Sequence, residues 1–294
     1  MEITKARSKS KINIGLDVIS KRDDGYHNIR TIMHELDLFD EMEFSLDASG
    51  FEILSDLKIK NEDNLIYKAY RGFCDYVGED LNLKVSLKKL LPMGAGIAGG
   101  TFNGAETIKY LNRAYGYNMK LDEIIGFSKK IGADFPYCLT GGNCLAEGIG
   151  EILVPVEYSD PYVLLVNPGY EVSTKEVYEN LRLSDKRVDF DKIIDALQNK
   201  DISALNDVLK NNMEDYVFKK HGELDIIKKR IVEFGGASAM SGSGPSIFGI
   251  FYDLDLLKGA YEYFKNRYKN VYLGGNYEWN NNLWRFLWLY RNRG

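Results

Sequence analysis

Apolar and polar residues alternate along residues 10–19, Ser-Lys-Ile-Asn-Ile-Gly-Leu-Asp-Val-Ile. Ile12, Ile14, Leu16 and Val18 therefore share one face of an expected strand, and Lys11, Asn13, Gly15 and Asp17 share the other. Lys11 and Asn13 project together, about 7 Å apart along such a strand. A solvated strand face accounts for that polar set, and on periodicity alone it is the preferred reading. Asp23-Asp24-Gly25 is a turn signal leading to a second alternating run with Ile32, Leu36 and Leu38. Tyr26 and His27 follow the turn, where stacking on a base and half-buried packing fit equally well. Leu65, Ile66, Ala69, Phe73 and Val77 form a helical stripe, with Asp63 as its expected cap and Asn64 in its first turn. A β-like run, Leu83 to Leu87, then enters a glycine-rich stretch, Leu91 to Ala105. Ala105, Ile108, Leu111 and Tyr115 continue as one face of a helix that Gly116 stops.

Further on, Leu121 to Ile131 reads as a helix ended by Gly132, and Pro136 suits the start of another. Asp134 is then either an N-cap or first-turn carboxylate, or a base able to take a proton from a substrate hydroxyl. Gly141-Gly142-Asn143 and Glu147 to Gly150 read as turns around short strands, and Tyr162 to Val166 as a buried strand. Ser173-Thr174-Lys175-Glu176 is a capping box opening a helix through Leu181. Helices are expected near 189–198, 202–212, 223–234 and 254–267. Short strands, Ala237 to Met240 and Ser246 to Phe251, flank Ser241-Gly242-Ser243-Gly244-Pro245, and a last strand lies near Val271 to Leu273. A change of texture near 153–160 divides the chain into domains 1–155 and 156–273, followed by a tail, 274–294, that holds all three tryptophans, Trp279, Trp284 and Trp288. A helical strap, a partner contact, an oligomer contact and a non-native extension all fit that tail.

The glycine-rich stretch has the outline of an anion cradle, because glycines allow close backbone approach and a helix N-terminus favours negative charge. A plain change of chain direction explains it as well. It lacks the Gly-Lys-Ser/Thr ending of a P-loop and the Gly-x-Gly-x-x-Gly spacing of a Rossmann unit. Composition narrows the class. With 294 residues, 45% hydrophobic and 28% charged, the chain is an ordinary globular protein with room for one large or two ordinary domains. A net charge of −5 argues against nucleic acid as a partner. Cys74, Cys138 and Cys144 lack metal-ligand spacing and suit reduced thiols. With no signal peptide and no apolar run long enough to span a bilayer, a cytoplasmic location away from membranes is expected.

Three separated signatures in order resemble those of the GHMP kinase superfamily: Ser10-Lys11-Ile12-Asn13, Pro92 to Ala105, and Met240 to Pro245. Within it, Lys11 to Leu16, Asp24-Gly25-Tyr26-His27, Gly132 to Pro136 and Ala146 to Glu151 are similar to the family that phosphorylates 4-diphosphocytidyl-2-C-methyl-D-erythritol. The likeness runs from about residue 8 to about 273. It implies an α+β fold with two domains, the first like ribosomal protein S5 domain 2 and the second ferredoxin-like, with the active site between them. It implies ATP-dependent phosphorylation of the substrate's 2-hydroxyl, giving the 2-phosphate and ADP, in non-mevalonate isoprenoid precursor biosynthesis.

Carried over by residue, the resemblance makes Asp134 the catalytic carboxylate and Lys11 its charged neighbour, which stabilises the developing alkoxide and phosphoryl charge. Asn13 and Thr174 would help bind the small-molecule substrate, with Tyr26 and His27 on its cytosine and Tyr178 closing the other side. Asn64 matches a residue near the adenine. Pro92, Met93, Gly94, Ala95, Gly96, Ile97, Ala98, Gly99, Gly100, Thr101 and Phe102 would surround the ATP phosphates, with Ser241, Gly242, Ser243 and Gly244 approaching from the third signature. Thr101 would offer a hydroxyl to phosphate or Mg²⁺. Ala98 stands for a common glycine, Phe102 for a second serine and Gly104 for an alanine, so Phe102 removes one hydroxyl from the loop. A homoserine- or mevalonate-type kinase is the nearest rival, disfavoured by Tyr26, His27 and Tyr178, since those substrates carry no base. A nucleotide-binding module without catalysis is the rival from another class, disfavoured by the pairing of Lys11 with Asp134. Monomer and homodimer both remain open.

Overall fold

The structure, a computed structural model, describes residues 3–57 and 59–274. The tryptophan-bearing stretch 275–294 lies outside the described residues. A long hairpin, β1 (Thr4–Lys21) and β2 (His27–Ser45), comes first, followed by β3 (Phe51–Ser55), α1 (Leu65–Val77) and β4 (Leu83–Lys88). Then come α2 (Gly99–Ala114), α3 (Leu121–Ser128), α4 (Phe135–Thr140), β5 (Asn143–Glu147) and β6 (Ile152–Pro155). These strands form a six-stranded sheet in the order β3-β4-β2-β5-β6, with β1 paired to β2 and only β3 and β4 parallel.

The second half holds β7 (Tyr162–Asn167), α5 (Thr174–Asn180), α6 (Phe190–Gln198), α7 (Ile202–Val208), α8 (Glu214–Lys220) and α9 (Gly222–Glu233). It closes with β8 (Ala237–Met240), β9 (Ile247–Phe251), α10 (Leu254–Lys265) and β10 (Asn270–Gly274). Its four strands are antiparallel in the order β10-β7-β9-β8, which is the ferredoxin-like arrangement with helices inserted after β7 and β9.

Local chemistry fixes the helix ends. Asn64, rather than Asp63, caps α1: its Oδ1 accepts from Ile66 N at 2.9 Å, and Asp63 sits in a preceding 3₁₀ turn. Asp189, Asp201 and Asp253 cap α6, α7 and α10 in the same way. The helix expected over 202–212 stops at Val208, because the next residues turn to bond β1: Leu16 N donates to Lys210 O and Asn212 N donates to Leu16 O. β3 and α8 carry too little periodicity to be expected from the sequence; the β3 residues are mostly half-buried.

The solvated-face reading of β1 is overturned. Ile12 and Ile14 join Val163, Leu165 and Phe248 in a cluster shared by the two sheets, while Lys11, Asn13 and Asp17 on the opposite face are buried as well. Alternation survives only because both faces are covered, one by hydrocarbon and one by hydrogen-bonded polar groups. Register shifts at Ser8/Ser10, Ile14/Leu16 and Val18/Ser20 bend this hairpin. The outer edge of β1 is covered too, since Lys11 N donates to Ile97 O at 3.0 Å.

Candidate active site

β1 delivers Lys11 and Asn13 to the same spot, and the start of α4 delivers Asp134. Lys11 Nζ lies 3.8 Å from Asp134 Oδ2, with the lysine side chain 6% exposed and the carboxylate 34%. Asp134 occupies the N-cap position of α4, yet its side chain makes no capping bond. The capping alternative is therefore not realised, and the carboxylate is left facing Lys11 and partly open. Lys11 Nζ donates to Asn13 Oδ1 at 2.6 Å and approaches Gly96 O at 3.4 Å. Asn13 Nδ2 donates to Thr31 Oγ1 at 3.1 Å, and Thr31 Oγ1 donates to Gly15 O at 2.6 Å. This relay fixes which end of the Asn13 amide faces the lysine. Gly150 borders the carboxylate: a Cβ there would sit 3.8 Å from Asp134 Oδ1.

The glycine-rich stretch and the third signature meet beside this centre. Ser241 Oγ donates to Gly96 O at 2.9 Å and accepts from Asn13 N at 3.2 Å. Gly96 has φ +74°, and a Cβ there would collide with the Ser241 carbonyl, so only glycine permits this approach. Asn211 Nδ2 holds the second loop by donating to Met240 O and Gly242 O, both at 2.8 Å. Thr174 and Ser243 hydroxyls pair at 2.8 Å. Ala98, at the N-cap position just before α2, lies in the left-handed region at φ +55°, and the helix has no side-chain cap and no acidic residue in its first turn. Met93, Gly94 and Gly100 are exposed and Thr101 is half-buried, so the helix start is open to an anion.

Not every residue of the stretch faces that opening. Phe102 is turned away: its ring packs edge-on against Tyr137 in the core, and its N–H donates to Ala98 O at 3.0 Å. It therefore replaces a hydroxyl with core packing and offers a phosphate nothing. Ala95 and Ile97 likewise bury their side chains in the cluster shared by the two sheets. Gly104 fits this packing, because a Cβ there would meet Phe135 Cζ at 2.7 Å and Leu65 O at 2.9 Å. Asn64 spends its side chain on the α1 cap, and its neighbour Leu65 lies against Gly100.

At the far end, Tyr26 is 55% exposed. The His27 and Tyr178 rings stack directly on each other, with centroids 4.8 Å apart. Burial, aided by the charge of Lys21, holds the His27 imidazole below its ordinary value. Burial, then the negative charge of Asp134, pushes the Tyr178 phenol up. Thr31 and Asn211 were not anticipated from the sequence, since each is a polar residue in a run that strand or helix packing explains; Gly150 lies in a motif the sequence offered, Ala146 to Glu151, but reads there only as part of a turn.

The family model for the GHMP kinases N terminal domain matches residues 64–142, and that for GHMP kinases C terminal matches 193–270. The 4-diphosphocytidyl-2-C-methyl-D-erythritol kinase of Clostridium novyi is 37% identical over 273 residues, covering 91% of this chain and 98% of that protein. Its counterpart from Thermoanaerobacter pseudethanolicus is 37% identical, covering 92% and 96%. A crystal structure of a 4-(cytidine 5'-diphospho)-2C-methyl-D-erythritol kinase superposes with a TM-score of 0.81 at 26% identity, covering 92% of this chain and 98% of that one. Homoserine kinase from Cytophaga hutchinsonii shares the fold, with a TM-score of 0.69 at 18% identity, covering 93% and 94%.

Proposed function

The chain belongs to the GHMP kinases, in the 4-diphosphocytidyl-2-C-methyl-D-erythritol kinase family, and from that premise we propose how its own residues perform the reaction. It transfers a phosphoryl group from ATP to the 2-hydroxyl of 4-diphosphocytidyl-2-C-methyl-D-erythritol, in isoprenoid precursor biosynthesis. The observation that carries the site assignment is the meeting of Lys11, Asn13 and Asp134 with Gly96 and Ser241 from the two small-residue loops.

Asp134 accepts the proton of the attacking hydroxyl as the oxygen–phosphorus bond forms and the bond to the bridging oxygen of ADP breaks. Lys11, held by Asn13 Oδ1, supplies fixed positive charge where the alkoxide and phosphoryl oxygens develop theirs. Because the relay through Thr31 sets the amide in advance, little reorganisation is needed at the moment of transfer. The open N-terminus of α2, with Gly100 and Thr101, receives the ATP phosphates, and the Asn64–Leu65 segment adjoins the nucleotide's adenine. Tyr26 and Tyr178 flank the cytosine. Rings stacked at 4.8 Å leave no room for a third, so the His27–Tyr178 pair parts on binding and frees the His27 edge for a hydrogen bond.

Among the described residues there is no cluster of three or more His, Cys, Asp or Glu side chains that could hold a metal ion. An Mg²⁺ arriving with the nucleotide would find one donor of the chain at the open start of α2, the half-buried Thr101 hydroxyl, and would neutralise phosphate charge. We place the domain division at residues 155/156, where the strands of the first sheet end at Pro155 and those of the second begin at Tyr162. Three free, buried cysteines support a reducing cytoplasmic setting, and no helix among the described residues is long and apolar enough to cross a membrane. The test is ADP release with Mg²⁺-ATP and the cytidine substrate, with homoserine and mevalonate as controls. Turnover with the cytidine compound alone is expected; turnover with a control instead would overturn the assignment.

A further inference from the structure

Behind the glycine-rich stretch lies a carboxylate that takes no part in the chemistry described above. Asp40, on β2, is 0% exposed. Its Oδ1 accepts from Leu90 N and Leu91 N, both at 2.9 Å, immediately before Pro92. Its Oδ2 accepts from Lys89 Nζ at 2.5 Å and from Asn103 Nδ2 at 3.2 Å, in the second turn of α2. One side chain therefore holds the chain on both sides of residues 92–98. Gly99, the first residue of α2, passes over the ion pair: a Cβ there would sit 3.4 Å from Lys89 Nζ and 3.9 Å from Asp40 Oδ2.

We propose that Asp40 is a positioning residue for ATP, setting the span of the glycine-rich stretch by tying its entry and its following helix to β2. This rests on the reading that the open N-terminus of α2 receives the phosphates. Glycine-rich segments lose much entropy when ordered, so a loop fixed at both ends presents its amides at less cost to binding. A carboxylate suits the task because all four of its neighbours are donors, and the partly buried Lys89 balances the charge of a carboxylate that is itself fully buried. Asn103 Oδ1 is buried without a hydrogen-bond partner, so among the described residues the Asn103 side chain is hydrogen-bonded through Asp40.

The test compares Michaelis constants for the two substrates. Asp40→Asn keeps the shape but removes the charge, and presents an N–H₂ to Lys89. We expect the KM for ATP to rise about tenfold or more, as for loss of a charged hydrogen bond, while KM for the cytidine substrate stays within about twofold. Asn103→Leu cuts only the helix arm and should raise the ATP constant about fivefold. That variant decides alone if Asp40→Asn does not fold. A residue that only stabilised the fold would lower the melting temperature and move both constants together; that result, or an unchanged ATP constant, overturns the proposal. Gly100→Glu, placing a negative charge at the exposed start of α2, tests the underlying reading. If it binds ATP normally, the reading fails and the proposal with it; if it is impaired while the Asp40 and Asn103 variants are not, only the proposal fails.

Discussion

Around Lys11, side chains are held by hydrogen bonds and charge from several directions at once, whereas at the other end Tyr26 is exposed and Tyr178 is held by stacking on His27 and by apolar packing. The ammonium of Lys11 faces Asn13, Gly96 and Asp134, and Ser241 bonds both β1 and the glycine-rich stretch. The end proposed to hold the base has one exposed tyrosine and one stacked pair, which on that reading opens to admit it. Phosphoryl transfer needs charges fixed to a fraction of an ångström, while a planar base needs only flat surfaces that close on it. The two ends should therefore fail differently when altered.

The largest effect belongs to the rigid end. Asp134→Asn should lower kcat by roughly 10²–10⁴-fold while leaving the binding of both substrates nearly unchanged. Near-normal turnover would remove Asp134 from its role. Gly104→Ala probes the packing beneath the same end. The added methyl meets Phe135 and the Leu65 carbonyl, so a stability loss of about 1–3 kcal/mol is expected in denaturant titration. Wild-type stability in that variant would show that Phe102 and Phe135 repack freely.

Tyr178→Ala addresses the looser end: KM for the cytidine substrate should rise about tenfold with the ATP constant unmoved. A loss confined to ATP would place Tyr178 in the wrong pocket. The smallest effect is a pH slope from His34, buried in β2 with Nδ1 3.0 Å from the Tyr158 hydroxyl. Burial holds its imidazole below the ordinary 6.5, although Asp160, Asn143 and Glu35 pull the other way. The unfolded chain then takes up a proton that the folded one refuses. The stability is fully present above pH 6.5 and falls as the pH drops below that value. His34→Gln should flatten that slope in melting curves between neutral and mildly acid pH; an unchanged slope would assign it to other groups.

Much of this was legible in advance where one physical cause dominates. The strands of the second sheet, the helix expected near 189–198 and the loop at Ser241 follow from short apolar runs, helical spacing and turn chemistry. The glycine-rich stretch could be recognised but not oriented. Nothing in its spacing says that Phe102 faces the core while Gly100 faces out, because helix phase there depends on where the left-handed residue, Ala98, ends the loop. Buried polar residues were the hardest to read. Lys11, Asn13, Thr31 and Asp40 look in sequence like the solvent side of a strand, and only the second layer packed over them makes them interior. Asn211 was hidden for a related reason, inside a stretch read as continuous helix.

The hydrocarbon cluster joining the two sheets has a mechanical consequence. Ile12, Ile14 and Ile32 from the first half interlock with Val163, Leu165 and Phe248 from the second, and the same strand, β1, carries Lys11 and Asn13 on its other side. A hinge between the halves would have to tear that cluster, so closure on substrate must be the work of loops and rings rather than of swinging domains. Cut at the 155/156 division, neither fragment would keep a finished interior. Each would expose half of an interlocked surface, so catalysis should return only on reassembly around β1.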